Sequence, residues 1–192
     1  MKKIMKYSLI FYTLCSTIVL ISIPLALAKG AESGESKNDS PIIEKGEFAY
    51  PYARDNVPIY RGISNEHMGI DFNGAYGEEV LAVSDALVYK SSNTCPPDGG
   101  YLGNWCPFDN VSGGGNYVIL KFEYNSKEVY IQYDHLEKTL VKTNEYVKKG
   151  QPVGRQGHSG NSTGTHLHLE AHYNGIYAGS HLNLINIEEW FK

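Results

Sequence analysis

The sequence lacks any cluster of basic residues. Its 17 lysines and arginines are outnumbered by 21 acidic side chains, giving a net charge of −4 and a pI near 6.0. That balance argues against a nucleic-acid binder held by phosphate contacts. Sustained helical periodicity is also missing, except over the last residues, Asn183 to Trp190. No internal repeat of useful period appears. Gly113-Gly114-Gly115 is not followed by G-K-[ST], so it is no phosphate loop. Gly157-His158-Ser159-Gly160-Asn161 lacks the closing glycine of a nucleophile elbow, which argues against a serine hydrolase.

Cysteine is scarce too, with three in 192 residues. Cys15 lies inside an uncharged run, and Leu14 stands where a lipoprotein signal needs a small residue. That run extends from Tyr7 to Ala28 behind Lys2, Lys3 and Lys6, and it ends in Ala26-Leu27-Ala28. A positive start, an apolar stretch and an A-x-A site together make residues 1–28 a signal peptide. An uncleaved anchor over residues 7–28 is the alternative, since a run of that length can span a bilayer. Cleavage removes three lysines and no acid, leaving 14 basic against 21 acidic side chains, a net charge of −7. Such a surface does not adhere to anionic polymers by bulk charge. The remaining pair, Cys95 and Cys106, is expected to form a disulfide in an exported chain. It would close a Pro- and Gly-rich loop; a two-Cys metal site is the weaker alternative, because no histidine lies near either cysteine.

What the chain has in quantity is tyrosine (15) and glycine (20). Tyrosine favours strands and glycine favours turns, so the composition points to a β-rich fold. Residues 29–47 are polar and read as a linker. From Phe48 onward, extended runs alternate with turn clusters. The runs are Glu79–Val83, Ala86–Lys90, Tyr117–Glu123, Lys127–Tyr133 and His166–His172. Tyr124-Asn125-Ser126 between two alternating runs marks a hairpin. The expectation is one antiparallel β domain over residues 48–192. Phe122, Tyr130 and Tyr133 fall on strands and are expected in the core or in a groove wall.

Seven histidines are present, and their placement is informative. His67 precedes Asp71 by four residues. His166 and His168 form an H-x-H pair, which on a strand faces one side. His135 lies in Gln132-Tyr133-Asp134-His135-Leu136. Histidine and aspartate both ligate Zn²⁺, and three protein ligands plus water make an open catalytic site. Taken alone, an H-x-H pair is as consistent with plain hydrogen bonding. His158, His172 and His181 have no motif partner and are expected on loops or the surface. Glu170 reads equally as a carboxylate that orients a ligand or as a surface glutamate.

The frames around these histidines resemble the LytM/lysostaphin-type zinc metallopeptidases. HMGIDFNGAYGEEVLAVSDALVYKSS is similar to that family's H-x-G-I-D segment and the strands after it. YIQYDHL is similar to its Tyr-x-His-Leu strand, and VKKGQPVGRQGHSGNSTGTHLHLE to its lysine-glycine turn, glycine-rich loop and H-x-H. The resemblance covers His67 to about His172. It departs at Thr165, where proline is usual, and at Leu169, where phenylalanine is usual. The Cys95–Cys106 region has the character of an insertion.

The resemblance implies a mainly β, antiparallel domain with a substrate groove walled by loops. It implies one Zn²⁺ held by His67, Asp71 and His168, with His135 and His166 as catalytic histidines whose roles sequence does not divide. The implied activity is an endopeptidase acting on peptidoglycan peptide stems, at D-Ala–meso-diaminopimelate links or at glycine bridges. The export signal and small size favour the first target and a periplasmic location, with secretion or anchoring by residues 7–28 as alternatives. The implied alternatives are a non-catalytic peptidoglycan-binding or amidase-activating module, and a zinc peptidase cutting glycine-rich peptides. No nucleic acid, and no stable membrane contact once the signal is removed, is expected.

Overall fold

A computed structural model describes residues 44–96 and 113–192. The expected signal peptide, most of the expected linker and Cys106 lie outside the described residues. The strands are β1 (Glu44–Lys45), β2 (Phe48–Ala49), β3 (Ile59–Arg61), β4 (Ile70–Phe72), β5 (Glu79–Leu81), β6 (Ala86–Ser92), β7 (Asn116–Tyr124), β8 (Lys127–Thr139), β9 (Tyr146–Val147), β10 (Pro152–Gln156) and β11 (Leu167–Tyr173). The fold is mainly antiparallel β, as composition and turn pattern imply.

β1 and β2 form a small ladder of their own, so the polar segment before residue 48 ends in ordered structure. The main sheet runs β3-β4-β11-β8-β7-β6-β9, with β10 pairing both β8 and β5. β8 is its axis: thirteen residues long, it pairs with β7, β11 and β10. The β7–β8 hairpin closes where expected. Asn125 and Ser126 have φ of 51° and 58°, and two positive-φ residues give the turn whose twist matches that of the flanking strands.

The core is aromatic and branched aliphatic. Tyr52, Phe72, Leu120, Ile131, Tyr133 and Leu169 are fully enclosed. The segment leading into the sheet contributes Phe48, Tyr50 and Tyr52, whose alternate spacing is that of extended chain. Phe48 stacks on Trp190 with ring centroids 3.9 Å apart. Trp190 belongs to a 3₁₀ helix, Ile187–Phe191, capped by Asn186 through a bond from the Glu188 backbone N–H. This is all that forms of the expected C-terminal helix. Asn183 takes a left-handed φ of 54°, which blocks helix there, and the apolar side chains that follow serve to close the core.

β8 outruns the expected Lys127–Tyr133 strand by six residues. Gln132, Asp134 and His135 interrupt the apolar pattern, yet they are buried strand residues. Cys95 is buried, and its backbone N–H and carbonyl are both held by the Asn116 side chain, at 2.8 and 3.0 Å.

Candidate metal centre

Four strands contribute one residue each to a single cross-strand row. Asp134 of β8 opposes His168 of β11, His168 opposes Asp71 of β4, and Asp71 pairs with Arg61 of β3 across a β-bulge. Directly opposed residues share a face and hold their Cβ atoms about 4.5–5.5 Å apart. The register therefore lines up groups that are far apart in sequence. His67 joins the row from the loop before β4, where Ser64 and His67 form an isolated bridge. Gly69 makes this approach possible: a Cβ there would lie 2.4 Å from the Leu169 carbonyl oxygen and 2.5 Å from the His168 ring.

His67, Asp71 and His168 place one ligand atom each within 4.8 Å of one another. The Nε2 of His67 lies 3.1 Å from Oδ1 of Asp71 and 3.1 Å from Nδ1 of His168. Nδ1 of His168 lies 2.8 Å from the same Oδ1. The other nitrogen of each ring is occupied. Nδ1 of His67 donates to the Gly62 carbonyl at 2.9 Å, and Nε2 of His168 faces Oε2 of Glu170 at 3.3 Å. That leaves one lone pair per ring aimed at the meeting point. Two imidazoles and one carboxylate, buried and oriented by outer partners, suit Zn²⁺.

Electrostatics agree with the geometry. Burial alone pushes the His168 imidazolium down, but the Asp71 and Glu170 carboxylates outweigh it and hold His168 up at about 10. Burial raises Asp71, yet its bonds with His168 and His67 keep it well below the usual carboxylate range. The meeting point thus stabilises positive charge, whether a proton or a cation carries it.

Two further imidazoles stand beside the three donors. The His135 and His166 ring centroids are 4.6 Å apart, and that of His135 lies 6.2 Å from that of His168. His135 sits at a φ of 62°, a region that few side-chain-bearing residues occupy. Its backbone N–H donates to the Gly114 carbonyl at 2.7 Å and its Nδ1 to the Ser159 carbonyl at 2.9 Å. Nδ1 of His166 donates to the Gly164 carbonyl at 2.9 Å, and its Nε2 lies 3.7 Å from Asp71. Both rings therefore keep Nε2 for the cleft. Burial, with His166 nearby, pushes His135 down to about 3, and burial also lowers His166. In their neutral form both offer a lone pair.

The cleft has a volume of about 440 Å³. Several of its groups were not legible in the sequence. Tyr60 of β3 is half exposed and meets the His166 ring edge-on at 6.1 Å. Burial and the Asp71 carboxylate raise its hydroxyl pKa. Asp134 is buried and accepts both bonds of the Gln132 amide, at 2.8 and 2.7 Å; burial pushes it up to about 7.

His172, expected on a loop or the surface, is instead buried on β11. Its Nδ1 donates to the Leu182 carbonyl at 2.8 Å, and its Nε2 meets Oε1 of Glu170 at 2.6 Å. The Gly179 N–H donates to the same oxygen at 2.8 Å. Glu170 is therefore clamped from one side while it faces His168 from the other. The i, i+2 spacing of His168, Glu170 and His172 placed all three on one face, and that signal was available in the sequence. His158 is half-buried with Nε2 3.0 Å from the Ser162 carbonyl, and exposed His181 reaches the Asn65 carbonyl.

The family model described as peptidase family M23 matches residues 65–180. An uncharacterized metalloprotease of Haemophilus influenzae is 30% identical over 147 residues, 77% of this chain and 27% of that protein. The peptidoglycan DD-endopeptidase ShyC of Vibrio cholerae is 35% identical over 111 residues, 58% of this chain and 21% of its own. The chain thus spans about a quarter of the length of these relatives. Among solved structures, lysostaphin from Staphylococcus simulans superposes with a TM-score of 0.54 at 27% identity, covering 71% of this chain and 50% of the other.

Proposed function

The chain belongs to peptidase family M23, and on that premise we propose that it is an exported zinc endopeptidase cutting D-Ala–meso-diaminopimelate cross-links of peptidoglycan. One observation carries the reading: five side chains from three separated segments, His67, Asp71, His135, His166 and His168, meet in one cleft with compatible donor orientations. In this reading His67, Asp71 and His168 hold the zinc ion. Residues 48–192 form the catalytic domain, residues 1–28 direct export, and the periplasm is the site of action. The DD-endopeptidase activity in the name of the Vibrio relative supports the cross-link.

Bound there, zinc supplies Lewis-acid polarisation of a water and of the scissile carbonyl. The protein's own groups do the rest. Neutral His135 and His166, each with Nδ1–H tied to a backbone carbonyl, present Nε2 to the cleft. One accepts the proton of the attacking water. The imidazolium so formed stabilises the developing oxyanion and then hands that same proton to the leaving amine, while the second neutral histidine orients the attacking water. Tyr60 adds a hydroxyl on the same side as His166. Glu170 holds His168 in orientation, and Asp71 draws both ligand rings toward one point.

The test is digestion of two kinds of sacculi, cross-linked through diaminopimelate or through glycine bridges, with products read by mass spectrometry. Metal content is measured on the same preparation. Stoichiometric zinc and release of D-Ala-terminated stems from the first substrate is the expected result. Cleavage confined to glycine bridges would replace the substrate, and loss of neither bond with no zinc bound would point to a non-catalytic module.

A further inference from the structure

The row Asp134–His168–Asp71–Arg61 ends, on its β3 side, in the one arginine or lysine among the described residues that line the cleft. Arg61 pairs with Asp71 across a β-bulge, and it lines the cleft together with its neighbour Tyr60. It is exposed, and among the described residues its guanidinium makes no hydrogen bond or ion pair. The two carboxylates nearest in the row are otherwise engaged: Asp71 by His67 and His168, Asp134 by Gln132. With Glu66 and Glu170 also lining the cleft, an anionic substrate entering here meets four acidic side chains and one guanidinium. An arginine offers a planar fork of donors that matches a carboxylate.

We propose that Arg61 binds a free carboxylate carried by the substrate residue on the amine side of the scissile bond. This rests on the reading above and sharpens it. In a D-Ala–meso-diaminopimelate link, the carbon bearing the scissile nitrogen also bears an unesterified carboxylate. That group sits two bonds from the nitrogen that must lie beside the metal ligands. Arg61 stands one strand beyond Asp71, about one cross-strand spacing from that point, within the reach of its long side chain. The interior of a glycine bridge has no carboxylate at the corresponding carbon, so the same guanidinium would find nothing to bind. Arg61 is then a specificity-determining residue that separates acidic from neutral cross-links.

The experiment compares the wild-type protein with Arg61→Gln on two cross-linked muropeptide dimers. They differ only in whether the carboxylate beside the scissile nitrogen is free or amidated. Zinc content and circular dichroism confirm that the variant is folded and loaded. The wild type is expected to favour the free acid by about 10- to 100-fold in kcat/KM, the range of one charge-assisted bond. Arg61→Gln is expected to bring that ratio near one, with the change carried by KM, since the carboxylate is present in ground and transition states alike. A variant that keeps the wild-type ratio overturns the role of Arg61 and leaves the endopeptidase reading standing. A wild type that cuts neither dimer, or cuts only glycine bridges, overturns both.

Discussion

Each histidine in the cleft has one nitrogen committed to a fixed partner, and that commitment assigns its work. His135 is tied by Nδ1 to Ser159 and by its backbone to Gly114, and it touches none of the three donor atoms. His135→Ala is expected to keep stoichiometric metal and to lower kcat at least 100-fold, within the usual range for a general base or acid. Metal analysis beside a muropeptide assay checks it, and retained turnover would remove His135 from the mechanism. Glu170 acts differently, through His168. Glu170→Gln keeps the shape but weakens the acceptor facing the ring, and zinc affinity is expected to fall about 10- to 100-fold. Competition with a chromophoric chelator measures this without reference to activity. The H-x-x-x-D and H-x-H frames were legible because their spacing is local. Tyr60, Arg61 and Asp134 were not, because nothing local marks them: they enter the cleft only through the neighbours their strands acquire.

Alternation along a strand shows which side chains share a face, but not which strand lies beside it. The hairpin of β7 and β8 could be read because both strands and their turn are contiguous. The placement of β11 between β4 and β8 could not, since it joins residues about a hundred positions apart. The end of β8 was missed for the same reason. Its polar residues look like a loop unless they line a cleft. Packing between neighbouring elements is close at Gly69, which lets the His67 loop pass over β11. Gly69→Ala would drive a methyl group into backbone and into the His168 ring. It is expected to destabilise the fold by about 1–3 kcal/mol, the range for overpacking, and to displace the metal ligand. Urea unfolding and zinc titration of the variant check both effects. Ordinary stability with full zinc content would show that the loop yields more easily than its contacts suggest.

At the scale of the whole molecule, a metal held by the proposed ligands would tie the β3–β4 edge to the middle of the sheet, because His67 and Asp71 lie on one side and His168 on the other. A ligand that binds only the folded state stabilises it by mass action, by about 2.7 kcal/mol at a hundredfold excess over Kd. Removing metal with a chelator is therefore expected to lower Tm by several degrees, and restoring zinc to recover it. Magnesium, which prefers an all-oxygen shell, is expected to leave Tm unchanged. Differential scanning calorimetry of the three samples decides the matter, and a Tm indifferent to zinc would count against a metal shared across the sheet.

The central position of β11 also sets a chronology. Domains fold as units, and the strand that unites the β3–β4 pair with the β6–β7–β8 group comes last in chain order among the described strands. Until it slots in, residue 67 and residue 71 have no third companion and the sheet has no continuous middle. On the proposed reading, a chain without this strand has neither the third ligand nor the H-x-H histidines, so the capacity to cut would arrive all at once with the closing strand.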